Sequence, residues 1–242
     1  MSNDIPPRFL PAGESALVVE YGRAIDPLIH DRVLALDAAI AAAPIEGVIE
    51  TVPTYRSLMI HFDPRATTPE ALIETLGGLD TTPRRDMGKP KRWRIPVCYD
   101  PALAEDLAEV SETLRLPQER IADLHADALY RVYMYGFAPG FTFLGGLPDA
   151  LAISRRATPR PPAPEGALLI AGGQALITTI AMPTGWYVIA QTPVRMFDSS
   201  RARAFFADVG DEVTFERIDL ATFEALRRDA AAGALIAREE MA

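Results

Sequence analysis

The chain has 242 residues, 33 acidic against 24 basic, a formal charge of -9 and 49% hydrophobic residues, enough apolar material for one or two packed domains. That excludes a disordered polypeptide, and the acidic balance opposes general nucleic-acid binding because a phosphate backbone would be repelled. Lys89 and Lys91 are the only lysines, so a Schiff-base, P-loop or biotin-carrying lysine has almost no candidate.

From the N-terminus, residues 1–11 carry acid and prolines rather than a basic start and an apolar core, and no apolar run reaches bilayer length. A cytoplasmic chain without membrane contact is expected. After Arg8 an extended apolar run covers Ala16 to Tyr21, and Asp26-Pro27 then opens a helix whose stripe is Ile29, Val33, Leu36 and Ile40. Strand-like runs Gly47 to Val52 and Leu58 to Phe62 flank the turn-like Pro53-Thr54-Tyr55. A second helix starts at Thr68-Pro69-Glu70 and stops at Gly77-Gly78. This β-α-β-β-α order predicts a small α/β sandwich over residues 8–80.

Residues 81–91 lack periodicity and read as a linker. The second domain, 92–242, begins with a strand at Trp93 to Tyr99 and helical stretches at Ala102 to Leu114 and Pro117 to Ala126. Ala128 to Phe215 reads as short strands punctuated by Gly and Pro, the pattern of a β-barrel or sandwich. A last amphipathic helix, Leu220 to Ala231, carries Phe223, Leu226 and Ala230 on one side. The fold class is α+β. Cys98 alone cannot form an internal disulfide, which fits a reducing compartment, and His30, His61 and His125 lie too far apart for zinc spacing, so no metal site is expected.

Eight of the sixteen glycines fall between Gly136 and Gly185, a density that points to tight turns or close approach to a bound group. The window from Arg131 to Arg195 holds five arginines against Asp149 and Glu165, so it is +3 while the remainder is -12. Guanidinium groups grip carboxylate and phosphate with paired hydrogen bonds, which marks this window as a candidate small-anion site. Its densest part, Tyr135-Gly136-Phe137-Ala138-Pro139-Gly140-Phe141-Thr142-Phe143-Leu144, alternates aromatics with glycine and proline. It forms either a pocket wall or a hydrophobic corner packing one barrel edge.

That segment, with Arg155-Arg156-Ala157-Thr158-Pro159-Arg160, Ala171-Gly172-Gly173-Gln174, Gly185-Trp186 and Thr192-Pro193-Val194-Arg195-Met196-Phe197-Asp198, resembles in order and spacing the family of the 5-oxoprolinase B component. The family is also called KipI-like or allophanate hydrolase subunit 1, and is similar to one half of the carboxyltransferase domain of urea carboxylase. Gly13-Glu14-Ser15-Ala16-Leu17 and Asp123-Leu124-His125 also match, so the resemblance spans nearly the whole chain. Thr142-Phe143, Ala175-Leu176 and Thr184 depart from the usual Pro-Tyr, Thr-Gly and Gly.

The resemblance implies a small α/β domain followed by a cyclophilin-like β-barrel. It implies work beside the homologous C component and the separate A component of 5-oxoprolinase, together opening 5-oxoproline to glutamate with ATP hydrolysis. A related protein instead inhibits a sporulation histidine kinase, so a regulatory binding module and a carboxyltransferase or allophanate hydrolase component remain alternatives.

Opening a lactam requires a more electrophilic carbonyl, and coupling to ATP activates its oxygen as a phosphate, so the site needs anion stabilisers more than a nucleophile. Candidate substrate or anion-binding residues are Arg155, Arg156, Arg160, Gly172, Gly173 and Gln174; candidate pocket walls are Tyr135, Gly136, Phe137, Pro139, Gly140, Phe141 and Trp186. His125 is the one candidate acid or base, with a helix-capping role as the alternative. No Walker loop or Gly-x-Ser-x-Gly elbow is present, so an ATP site is expected to be shared with a partner, and the chain alone to be inactive.

Overall fold

The computed structural model describes residues 6–79, 81 and 90–240. The chain divides into two compact units, Met1–Lys89 and Pro90–Ala242. The linker expected at 81–91 lies for the most part outside the described residues.

In the first unit, β1 (Arg8–Pro11), β2 (Ala16–Glu20), β3 (Val48–Pro53) and β4 (Ser57–Phe62) form an antiparallel sheet in the order β1-β2-β4-β3. The short β1 strand adds to the expected elements. It forms a hairpin with β2 in register from Arg8↔Glu20 to Pro11↔Leu17, and Gly13, at φ +71°, lies in the turn between them. Helices α1 (Pro27–Ala42) and α2 (Pro69–Gly77) cover one face. Asp26 caps α1, accepting from Leu28 N at 2.7 Å and Ile29 N at 3.3 Å, and Thr68 caps α2 through Ala71 N. Alternation delivers Leu17 and Val19 from β2, and Leu58, Ile60 and Phe62 from β4, to the face that meets Ile29, Val33, Leu36 and Ile40.

The second unit contains β5 (Arg92–Val97), α3 (Leu107–Leu114), α4 (Gln118–Ala126), β6 (Tyr130–Tyr135), β7 (Thr142–Gly145), β8 (Arg160–Ala163), β9 (Ala167–Ala171), β10 (Gln174–Ile177), β11 (Met182–Thr184), β12 (Tyr187–Gln191), β13 (Glu212–Arg217), α5 (Leu220–Ala231) and β14 (Arg238–Glu240). Eight of these strands form one sheet, ordered β12-β9-β10-β7-β6-β13-β5-β14, and β8 pairs with β11 in a separate ribbon. Just past β5, Cys98 and Gln191 exchange backbone hydrogen bonds of 2.9 and 3.0 Å, joining the end of β12 to the other side of the sheet. Among the described residues no helix is long and apolar enough to cross a membrane.

Helix α3 starts at Leu107, five residues later than its sequence pattern indicates. Residues 100–106 make turns in which Ala104 N donates to Asp100 O and Asp106 N to Val188 O. Asp106 stands at the N-cap position but makes no side-chain cap bond, because its carboxylate is engaged elsewhere. The β14 strand has no sequence signature. Its Arg-Glu-Glu segment lacks apolar alternation and pairs along β5 with Arg238 opposite Arg94 and Glu240 opposite Arg92, and diagonal ion pairs hold it: Lys91 Nζ meets Glu239 Oε2 at 2.8 Å, and Arg94 meets Glu240.

Candidate functional site

Strands β7, β9 and β10 are apolar on both faces. Leu144, Ala175, Ile177, Leu168 and Ile170 enter the main core. The opposite face is set by register: Leu176 stands opposite both Phe143 and Leu169, and Leu169 stands opposite Val188. Phe141, Leu169, Leu176 and Val188 form a second, smaller apolar cluster against which Phe143, Met182 and Trp186 pack. An antiparallel sheet that can leave one face in water instead carries hydrophobic side chains there, so that face requires a cover.

The cover is incomplete, and a cleft of about 410 Å³ remains. Phe137, Phe141, Phe143, Leu169, Leu176 and Trp186 supply its apolar walls, Met182, Pro183 and Thr184 come from β11, and Arg155 and Pro159 complete the rim. Trp186 meets Phe143 edge-on at 6.2 Å between centroids, and Phe137 lies 5.9 Å from Phe141. Arg155 Nη2 passes 3.5 Å from the point a Cβ on Gly185 would occupy. Among the described residues Arg155 has no ion-pair partner.

The sequence-predicted pocket walls therefore separate. Phe137, Phe141 and Trp186 line the cleft with Arg155. Tyr135 does not: its hydroxyl donates to Ala207 O at 2.9 Å and its ring lies against Phe205, so it braces a different part of the unit. Burial, with Asp211 and Asp208 nearby, holds its phenol well above the ordinary range. Gly136, Pro139 and Gly140 build the loop rather than its lining. Gly136 N donates to Phe141 O, the Thr179 hydroxyl donates to Pro139 O, and Gly140 sits at φ +76° where a Cβ would collide with Phe197 Cβ.

The anion-binding candidates divide in the same way. Arg156 and Arg160 are ion-paired within the unit. Arg156 Nη2 lies 3.0 Å from Asp106 Oδ1 and also pairs with Glu109; Arg160 Nη1 lies 3.0 Å from Asp106 Oδ2 and also pairs with Glu105. Asp106 further accepts Val188 N at 2.7 Å. Arg156 also lies over the Tyr187 ring, 4.5 Å from its centroid. One nearly buried carboxylate thus ties segment 156–160 to β12 and the start of α3. Local sequence patterns do not reveal it, because its arginine partners lie about fifty residues away.

Gly172 and Gly173, at φ +58° and +77°, form the two-residue turn between Ala171 and Gln174. Positive φ at both positions is what a tight hairpin of this twist demands, so the pair is explained by chain reversal, and a Cβ on either would meet open space. Neither they nor Gln174 line the cleft.

His125 lies in the last turn of α4 and does not line the cleft. Fully buried at the end of α4, it stacks on Phe215 at 4.9 Å and shares a 2.6 Å hydrogen bond with the Tyr99 hydroxyl through Nδ1. Burial pushes its pKa down to about 3, which keeps the imidazole neutral. Among the described residues no group of three or more His, Cys, Asp or Glu is placed to hold a metal.

Residues 7–207 match the family described as carboxyltransferase domain, subdomain C and D, and the chain belongs to that family. It is 32% identical over 229 residues to a Bacillus subtilis protein named as the B component of 5-oxoprolinase, covering 90% of this chain and 95% of that one. A protein of the same name from Escherichia coli O157:H7 is 31% identical over 204 residues, 84% of this chain and 92% of the relative.

Among solved structures, TTHA0988 superposes with a TM-score of 0.75 at 35% identity. The match covers 84% of this chain but spans only 40% of TTHA0988. Kluyveromyces lactis urea carboxylase shares the fold at 17% identity, with a TM-score of 0.77 over 97% of this chain and 24% of the enzyme.

Proposed function

We propose that the chain is the B component of an ATP-dependent 5-oxoprolinase, opening 5-oxoproline to glutamate with the A and C components as partners. The observation that carries this reading is the match along nearly the full length of relatives bearing that name. In this reading the second unit is a cyclophilin-like barrel, supported by the eight-stranded sheet and the Cys98–Gln191 bridge across it. A cytoplasmic location fits the single buried, unpaired Cys98.

The division of labour follows from the side chains. Among the described residues the Gly172-Gly173 pair forms a hairpin turn, and Arg156 and Arg160 are ion-paired through their Nη atoms to Asp106, Glu109 and Glu105. In this reading the nucleotide chemistry belongs to the partner components. This chain contributes a mostly apolar cleft and one guanidinium without an ion-pair partner among the described residues, tools for holding and orienting a substrate rather than for transferring a proton. The test is 5-oxoproline-dependent ATP hydrolysis, measured for the isolated chain and for the chain with its partners. Activity only in the assembly supports the shared site, and full turnover by the chain alone refutes it.

A further inference from the structure

We propose that the aromatic cleft is a binding site for a small monocarboxylate, its flat or apolar body resting on Phe141, Phe143 and Trp186 and its carboxylate held by Arg155. The volume of about 410 Å³ lies within the usual span of small-molecule sites, and the walls are mostly apolar. Such a surface gains by expelling water onto a ring or short hydrocarbon body.

The charge at the rim selects the ligand's other end. Arg155, Arg156 and Arg160 are close neighbours in sequence, and the structure treats them differently. Arg156 and Arg160 are fixed on Asp106, Glu109 and Glu105, whereas Arg155 lies along the cleft beside Gly185 with no carboxylate partner among the described residues. A guanidinium forms paired charge-assisted hydrogen bonds with a carboxylate. Among the described residues Arg155 is the one charged group lining the cleft, so a single negative charge is matched and a dianionic phosphate is left half-neutralised.

The mouth carries a further mark of use. Phe137 is 78% exposed and holds φ +68°, a left-handed backbone that costs a bulky side chain energy which this little burial does not return. Its ring beside Phe141 extends the aromatic wall outward, where an arriving ligand would bury it. The proposal deepens the oxoprolinase reading, on which it rests, by naming the class of ligand that this cleft and Arg155 would hold.

Trp186 gives the cleft its own reporter. The full chain is titrated with phenylacetate, 5-oxoproline and the neutral lactam 2-pyrrolidinone, following tryptophan fluorescence, with Trp186→Phe identifying which of the two tryptophans responds. At least one carboxylate is expected to give a saturable change, with 2-pyrrolidinone about tenfold weaker or more. Arg155→Ala should lower carboxylate affinity by about the same factor and leave the neutral lactam unchanged, and Arg155→Lys should recover part of the loss.

Binding of phenylacetate without 5-oxoproline supports the cleft assignment, while ATP hydrolysis by the assembly decides the oxoprolinase reading separately. Equal affinity for charged and neutral probes, insensitivity to Arg155→Ala, or no saturable binding by either carboxylate overturns the proposal.

Discussion

Replacing Asp106 by Ala tests the arrangement that separates Arg155 from its neighbours. The Asp106 side chain is 11% exposed, and its partners Arg160 and Arg156 are 7% and 19% exposed, so solvent does little to compensate their charges. The substitution removes two contacts of 3.0 Å to guanidinium groups and the 2.7 Å acceptor of Val188 N. Stripping one partner from a buried ion pair costs about 3–5 kcal/mol, and an orphaned buried N–H about 1–3 kcal/mol. Glu105 and Glu109 remain beside the arginines and offset part of this, so the expected net loss is about 3–5 kcal/mol.

For a unit of this size that corresponds to a midpoint lowered by about 6–20 °C in thermal unfolding followed by circular dichroism. Asp106→Asn keeps an acceptor for the Val188 N–H but loses the charge, and should fall between Ala and the parent. Glu105→Ala, at a carboxylate 47% exposed, should cost about 1 kcal/mol or less. Equal small losses for Asp106→Ala and Glu105→Ala would refute the claim that the buried carboxylate is the hub of the cluster.

Three further outcomes follow from the same geometry. His125 has a folded pKa of about 3 against an ordinary 6.5, so the unfolded chain takes up a proton that the native state refuses, and stability falls as pH drops below 6.5. Between pH 7 and pH 5 this group should remove about 2 kcal/mol from the urea-unfolding free energy, and His125→Asn should abolish that share of the slope; an unchanged slope would remove His125 as its source. Gly140→Ala should destabilise by about 2 kcal/mol or more, because strain at φ +76° adds to a collision with Phe197, while Gly172→Ala meets open space and should cost about 1 kcal/mol; denaturant midpoints that reverse this order would contradict the packing. Phe137→Gly should raise stability by about 1 kcal/mol by relieving the left-handed strain, and a loss of that size in the same assay would show that the ring carries packing instead.

Local order is legible wherever residues close in sequence decide it. The Asp26 and Thr68 caps, the Ile29-Val33-Leu36-Ile40 stripe and the alternation in β2 and β4 lie within a few residues of their effects. The aromatic and glycine-rich stretch marks something unusual between 135 and 186, and Phe137, Phe141 and Trp186 do meet in one cleft. Alternation in β7, β9 and β10 is the signal that adds Phe143, Leu169 and Leu176, since residues two apart share a face.

What the sequence alone determined about this protein is a set of local preferences: where helices begin and end, which strand faces are apolar, and where positive charge is dense. The tertiary structure decided which of three neighbouring arginines stays available. It placed Asp106 between Arg156 and Arg160 and left Arg155 beside a glycine at the rim of the aromatic cleft. Likewise it seated His125 against Phe215, where desolvation removes the charge that its residue type would otherwise carry in mildly acidic solution. The physical reason is common to both cases: Coulomb attraction, hydrogen bonding and desolvation act between atoms a few ångströms apart in space, and the partners that set them here stand roughly fifty to ninety positions away along the chain.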